Sequence, residues 1–238
     1  MSRVITFVST FCFAILMFSF RPANDGEAIV KKMYNTYHGK WYKTFTFNQT
    51  TEIYRNDSLK RTQTWYEYIQ FPDKFRIDFG VRDSGNYVIF KGDSAYRFRN
   101  HKMMMVSKDE NDLTFLLGGM YFYSYDKVLQ KIKGLGYDLS KMHEDVLNGT
   151  PVYVIGADKG DESSSQLWID KKRLILLRFI TTGKNGKEEG FFDNHIKLNG
   201  GWSETKCTFY FGGKLAQIEK YHDCKANVHI DPKTFEPR

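Results

Sequence analysis

The chain has 238 residues, 41% of them hydrophobic and 16% aromatic, with a formal net charge of +7. Its 20 Phe and 15 Tyr favour a pleated, half-buried surface over a helical bundle, and no Pro/Ser linker or break in composition marks a second domain. Arg3 and Arg21 belong to an expected leader, so about +5 remains on the mature chain, a charge suited to solvent, anionic head groups or an acidic partner; export argues against nucleic acid.

The leader comes first. Arg3 supplies a positive charge, Val4 to Phe20 is an almost unbroken apolar run, and Arg21, Pro22 and Ala23 end it. The run is shorter than the roughly 20 residues of a bilayer span and is diluted by Thr6, Ser9, Thr10 and Ser19. A secretory signal over residues 1–23, cleaved near Ala23, is therefore expected over a retained anchor. Cys12 follows the bulky Phe11, which argues against a lipid-modified cysteine. Residues 24–238 are expected to form one domain.

Asn24 followed by Glu27 predicts a capped helix start, and Ile29, Val30, Met33, Tyr34 and Tyr37 form one apolar stripe ending near His38-Gly39. Strand-like segments follow at Trp41 to Tyr54, Thr62 to Phe71, Lys74 to Phe79, Tyr87 to Phe90 and Ala95 to Arg99. Alternation is clear in several: Phe45 and Phe47 against Thr44 and Thr46; Phe75, Ile77 and Phe79 against Arg76 and Asp78; Tyr96 and Phe98 against Arg97 and Arg99. Then the period changes. Asp112 to Leu117 and Ser124 to Lys133 read as short helices, the second with Val128, Leu129 and Ile132 on one side. Met120-Tyr121-Phe122-Tyr123 between them reads as an apolar loop that is awkward to bury. Flanked by glycines, these helices predict either a cover over the mouth of a curved sheet or a permanent plug. Strands resume at Val152 to Ile155, Gln166 to Asp170, Leu174 to Thr181, Phe191 to Leu198, Glu204 to Phe211 and Lys214 to Cys224, with turns at Asn148-Gly149, Asn185-Gly186, Asn199-Gly200-Gly201 and Gly212-Gly213.

Chemistry-bearing clusters are weak. In His222-Asp223-Cys224 strand alternation puts His222 and Cys224 on one side and Asp223 on the other, which breaks any nucleophile, base and orienter chain. No C-x-x-C or H-E-x-x-H spacing occurs, no glycine-rich loop opens a helix after a strand, and His143-Glu144-Asp145 and Glu188-Glu189 read as solvated acids. If Gly212-Gly213 is a hairpin tip, Cys207 faces Ile218 and lies about 20 Å from Cys224 at roughly 3.3 Å per residue, beyond the about 7 Å that a disulfide tolerates. Two buried free thiols are expected. Met103-Met104-Met105 suits varied apolar ligands and core filling equally.

The order of these pieces resembles a known family. Phe71-Pro72-Asp73-Lys74-Phe75-Arg76, then Ile89-Phe90-Lys91-Gly92-Asp93-Ser94-Ala95-Tyr96, Leu167-Trp168-Ile169-Asp170, and the closing Val228-His229-Ile230-Asp231-Pro232 with Phe235-Glu236-Pro237, resemble LolA and its relatives, the bacterial periplasmic lipoprotein carriers. The resemblance implies a mainly β fold, an unclosed antiparallel half-barrel of about eleven strands with an N-terminal helix and short lid helices. It implies a periplasmic carrier, not an enzyme, without cofactor or metal, that shelters acyl chains of lipoproteins or related lipids for transfer towards the outer membrane, with membrane-associated donor and receptor proteins as partners and the chain itself a monomer. Many members place an arginine before the motif proline, where it ties the lid; this chain has Phe71.

The expected cavity lining is Phe45, Phe47, Trp65, Phe75, Ile77, Phe79 and Phe98 on strands, Met103 and Met105, and Leu116, Leu117, Leu129 and Ile132 from the helices. A register slip of one residue would exchange faces in any one strand. The alternative from another class is an interaction or scaffold protein of the cell envelope with the same fold and no lipid ligand.

Overall fold

The computed structural model describes residues 25–183 and 186–237; the leader, its cleavage near Ala23, the Asn24 cap and Asn185 of the Asn185-Gly186 turn lie outside them. In chain order the elements are α1 (Gly26–Tyr37), β1 (Thr44–Arg55), β2 (Ser58–Gln70), β3 (Lys74–Phe79), β4 (Tyr87–Lys91), β5 (Ser94–Arg99), β6 (Lys102–Lys108), α2 (Asp112–Leu116), a 3-10 helix at Gly119–Phe122, and α3 (Tyr125–Gly134). The second half comprises β7 (Met142–Leu147), β8 (Thr150–Ile155), β9 (Gln166–Asp170), β10 (Leu176–Gly183), β11 (Gly186–Asp193), β12 (Ile196–Leu198), β13 (Gly201–Ser203), β14 (Lys206–Phe211), β15 (Lys214–Ala226) and a 3-10 helix at Pro232–Phe235.

Among the described residues thirteen strands form one sheet in the order β6-β5-β4-β3-β2-β1-β15-β14-β11-β10-β9-β8-β7, and β12 pairs with β13 apart from it. Two antiparallel meanders therefore meet at the β1/β15 seam, where Gln49 faces Tyr221 and Thr51 faces Glu219. The outermost strands, β6 and β7, do not pair, so the sheet stays open. The chain passes from one free edge to the other through α2, the 3-10 helix and α3, which is what brings helices onto the inner face.

Cross-strand partners share a face, and the ladder assigns the faces. Phe47 faces Glu67, Glu67 faces Ile77, and Ile77 faces Val88; this row looks inward. The inner face carries the main core, in which α1 buries Ile29, Val30, Met33, Tyr34 and Tyr37, the stripe expected from the sequence. On the outer face of β3 to β5 a second cluster gathers Tyr87, Ile89 and Phe98. The Arg76 guanidinium lies 4.1 Å from the centre of the Tyr87 ring, bonds Asp78 at 2.8 Å and donates to the Thr234 carbonyl at 3.2 Å. The C-terminal 3-10 helix thereby covers that outer surface.

Several expectations change. The main sheet has thirteen strands against about eleven, because β6 and β7 carry no alternating pattern: Met103, Met104, Met105 and Val106 are all exposed and the β7 segment is acidic. The helix cap is Asp25, whose Oδ1 accepts the Glu27 N–H at 2.9 Å. Met120 and Tyr121 are buried in the 3-10 helix rather than looping. The segment Phe191 to Leu198 is two strands, interrupted at Asn194 with φ 53°. An irregularity between Phe209 and Tyr210 moves Cys207 opposite Glu219 instead of Ile218. Both described cysteines are free, Cys207 buried and Cys224 only partly so. Around Asp223, with φ 55°, the β1/β15 register shifts. His222 meets Thr50 at 3.2 Å and Asp223 accepts from Asn48 at 2.9 Å, both on the outer side, while Cys224 turns to the core. The bulge overturns the simple alternation read for that triplet.

Candidate functional site

Between the inner face of the sheet and α2 lies a cavity of about 150 Å³. Its walls are Tyr42, Phe45, Phe47, Trp65, Ile69, Phe71, Phe75 and Ile77 from the first meander and Phe192, Phe209 and Tyr221 from the second; Asn111, Leu113, Thr114 and Leu117 close the roof. The roof is built locally. Asn111 caps α2, its Oδ1 accepting from the Thr114 N–H at 2.9 Å and the Thr114 hydroxyl at 3.0 Å, and the turn that follows is pinned between Trp41 and Phe71, which crowd Gly118 so closely that a Cβ there would stand 2.4 Å from Trp41 Nε1.

Of the residues expected from the sequence, Phe45, Phe47, Trp65, Phe75, Ile77 and Leu117 meet at this cavity. Phe79 sits on the same face beyond it, edge-on to Trp65 at 5.0 Å. Phe98 is on the other face, stacked on Tyr87 at 4.4 Å: alternation puts Phe98 and Phe75 in like patterns, but β5 joins the ladder with Phe90 facing Ala95 and Tyr87 facing Phe98. Met103 and Met105 stand 46% and 48% exposed on the edge strand β6. Leu116 points to the other half of the core, near Tyr137 and Phe179, and Leu129 and Ile132 pack α3 into the main core with Ile132 fully buried.

The sequence reading missed the polar part. Glu67, Glu204 and Glu219 line the same cavity, exposed by only 5%, 8% and 8%. Burial, then the neighbouring carboxylates Glu219 and Glu204, push the Glu67 carboxyl well up. Burial lifts Glu204 to about 8. Glu219 is also raised by burial, against the pull of hydrogen bonds from Tyr221 and Gln217. The Tyr221 hydroxyl donates to Glu219 at 3.0 Å and accepts from the Cys207 thiol at 3.2 Å, and burial holds both the phenol and the thiol protonated. Gln49, fully buried beside them, donates to Thr51 at 2.8 Å while its Oε1 has no partner. Parity was the available signal: Glu67 lies between Trp65 and Ile69 at inward positions. The three acids come from distant segments that only the closed seam brings together.

Among the described residues no group of three or more His, Cys, Asp or Glu is arranged to hold a metal ion, and no helix is long and apolar enough to cross a membrane. Neither a protein-family model nor a curated protein matches the chain. Solved structures do. A DUF1329 family protein from Desulfovibrio piger aligns with a TM-score of 0.63 at 17% identity, over 90% of this chain and 97% of that one. A LolA superfamily protein from Nitrosomonas europaea gives 0.57 at 12% identity, over 89% and 97%. A domain described as an outer membrane lipoprotein-sorting protein, from Vibrio parahaemolyticus, gives 0.54 at 14% identity, over 88% and 95%. At these identities the likeness is one of architecture, and by its open antiparallel sheet, N-terminal helix and short inner helices this chain has the LolA-like fold.

Proposed function

We propose that this protein is a non-enzymatic carrier of the periplasm, a single domain over residues 24–238 released from its leader, that holds the acyl chain of a lipoprotein or related lipid and passes it towards the outer membrane. The observation that carries the reading is the aromatic cavity trapped between the inner face of the sheet and the helical roof. Each methylene moved from water into such a space is worth about 0.8 kcal/mol. The volume of about 150 Å³ equals that of an engineered apolar cavity able to take up benzene. The described conformation offers room for a short alkyl segment. A full acyl chain requires α2 and the following 3-10 helix to lift, and Gly118 lies between those two pieces. The donor and the receptor are membrane-associated proteins, the carrier is a monomer, and no cofactor takes part.

The test is native mass spectrometry of the gently purified protein, followed by titration of delipidated protein with a fluorescent fatty acid. Co-purified lipid, or saturable uptake of the probe, is expected. Protein that is always empty and takes up no probe overturns the carrier and leaves a scaffold of the envelope.

A further inference from the structure

The cavity is short of donors. Glu67 lies 5% exposed against it, and among the described residues no hydrogen bond reaches its carboxyl. Gln49 Oε1 beside Glu219 is buried without a donor. The Glu204 carboxyl meets only its own backbone. No lysine, arginine or histidine lines the space. A buried acceptor without a donor costs about 1–3 kcal/mol; Glu219 is held by Tyr221 and Gln217, but three carboxyls in one apolar pocket cannot ionise together without a cation. The rest of the wall is aromatic, and ring faces attract cations.

We propose that the ligand is an amphiphile with an ammonium group at its polar end, the ammonium seated among Glu67, Glu204 and Glu219 and the alkyl chain lying along Phe45, Phe47 and Phe75. This deepens the carrier reading and rests on it. A metal ion fits less well, because the carboxyls are not gathered tightly enough to ligate one. An ammonium on a chain spreads its donors over a wider ring and fills the apolar part as well. Burial raises all three carboxyls towards their neutral form, and it keeps Tyr42, Tyr221, Cys207 and Cys224, which face them from the neighbouring segments, protonated. When the ammonium enters, one or more carboxyls ionise and their protons pass to the buffer.

Delipidated protein is titrated by calorimetry at pH 7 with octylamine, 1-octanol and octanoate, which share one chain and differ in head group. The amine is expected to bind at least tenfold more tightly than the alcohol, octanoate more weakly than either, and titrations in buffers of different ionisation enthalpy are expected to show net proton release with the amine alone. In the isosteric double variant Glu67→Gln/Glu219→Gln, checked for folding by circular dichroism, the preference for the amine is expected to shrink to under threefold while the alcohol still binds. Amine binding no tighter than alcohol binding, no proton release, or an amine preference unchanged in the variant overturns the proposal and leaves the carrier standing. If the carrier reading itself fails, none of the three compounds binds, which overturns both. The proton-release measurement uses the wild-type chain alone, so a variant that does not fold still leaves the proposal decided.

Discussion

Phe71 and Phe122 lie ring on ring, 5.7 Å between centroids and 6° between planes. The first directly follows the long strand β2 and the second ends the 3-10 helix of the roof, so this pair fastens roof to sheet. The contact holds the roof through apolar surface, with no ion pair or hydrogen bond between the two side chains. Phe71 also meets Tyr42 at 5.7 Å, which ties it to the cavity wall.

Removing that ring should loosen the roof. Phe71→Ala is expected to cost about 3 kcal/mol, the range for an aromatic ring cut from a packed core, and to raise hydrogen exchange in residues 112–122 more than in β1 or β15. Uptake of a fluorescent fatty acid should become faster. Equal loss of protection in the roof and in the β1/β15 seam would show that Phe71 supports the whole core and not the fastening.

Gly118 makes the complementary case. It has no room for a side chain, since a Cβ would meet Trp41 at 2.4 Å and the Phe71 ring at 2.9 Å. Gly118→Ala is expected to destabilise by roughly 1–3 kcal/mol through overpacking, measured by chemical denaturation. Gly134, at the end of α3, has nothing within 4 Å of such an atom, and Gly134→Ala should be neutral or slightly stabilising because alanine is the better helix former.

How much of this was legible in the sequence follows from where each signal lives. Alternation located β1 and β3 and named Phe45, Phe47, Phe75 and Ile77, because those strands have one apolar face and a simple register. It failed at β6 and β7, the unpaired edges, where one side has no partner and exposed residues such as Met104 are tolerated. It also misplaced Phe98, since parity within one strand says nothing about which face the ladder presents until the partner is known. The carboxyl trio was out of reach for a different reason. Glu67 and Glu219 come into one cavity only through the pairing of β1 with both β2 and β15, a long-range relationship with no local trace.

The buried acids set the pH dependence. Unfolded, Glu204 ionises near 4.5; folded, burial raises it to about 8. Between those values the folded state binds more protons, so the contribution of this group is complete below about 4.5 and is lost as pH rises through 8. At about 1.4 kcal/mol per unit the loss from Glu204 is on the order of 5 kcal/mol, and Glu67 and Glu219 act in the same direction. Asp170 works the other way. Burial raises it, but the Arg173 and Lys172 N–H groups and the Arg173 guanidinium outweigh that and leave it lowered, so its contribution disappears only in strong acid. Denaturation in urea should therefore show greater stability at pH 5.5 than at pH 9, and Glu204→Gln should flatten the decline. Stability that rises from pH 5.5 to pH 9 would contradict the burial of these acids.

The last prediction separates the cavity from the edge strand. Leu117 hangs from the roof into the cavity, where a larger ring can occupy existing space, so Leu117→Trp is expected to lower affinity for an alkyl probe at least tenfold, about 1.4 kcal/mol, with a smaller change in stability than Phe71→Ala. Met103 and Met105, attractive as adaptable ligand contacts in the sequence, stand about half exposed on β6 and line no part of the cavity. The double variant Met103→Ser/Met105→Ser should therefore bind the probe within twofold of wild type. If instead the methionine variant loses affinity and the tryptophan variant keeps it, the chain is held at the sheet edge and the space beneath α2 is only a packing defect.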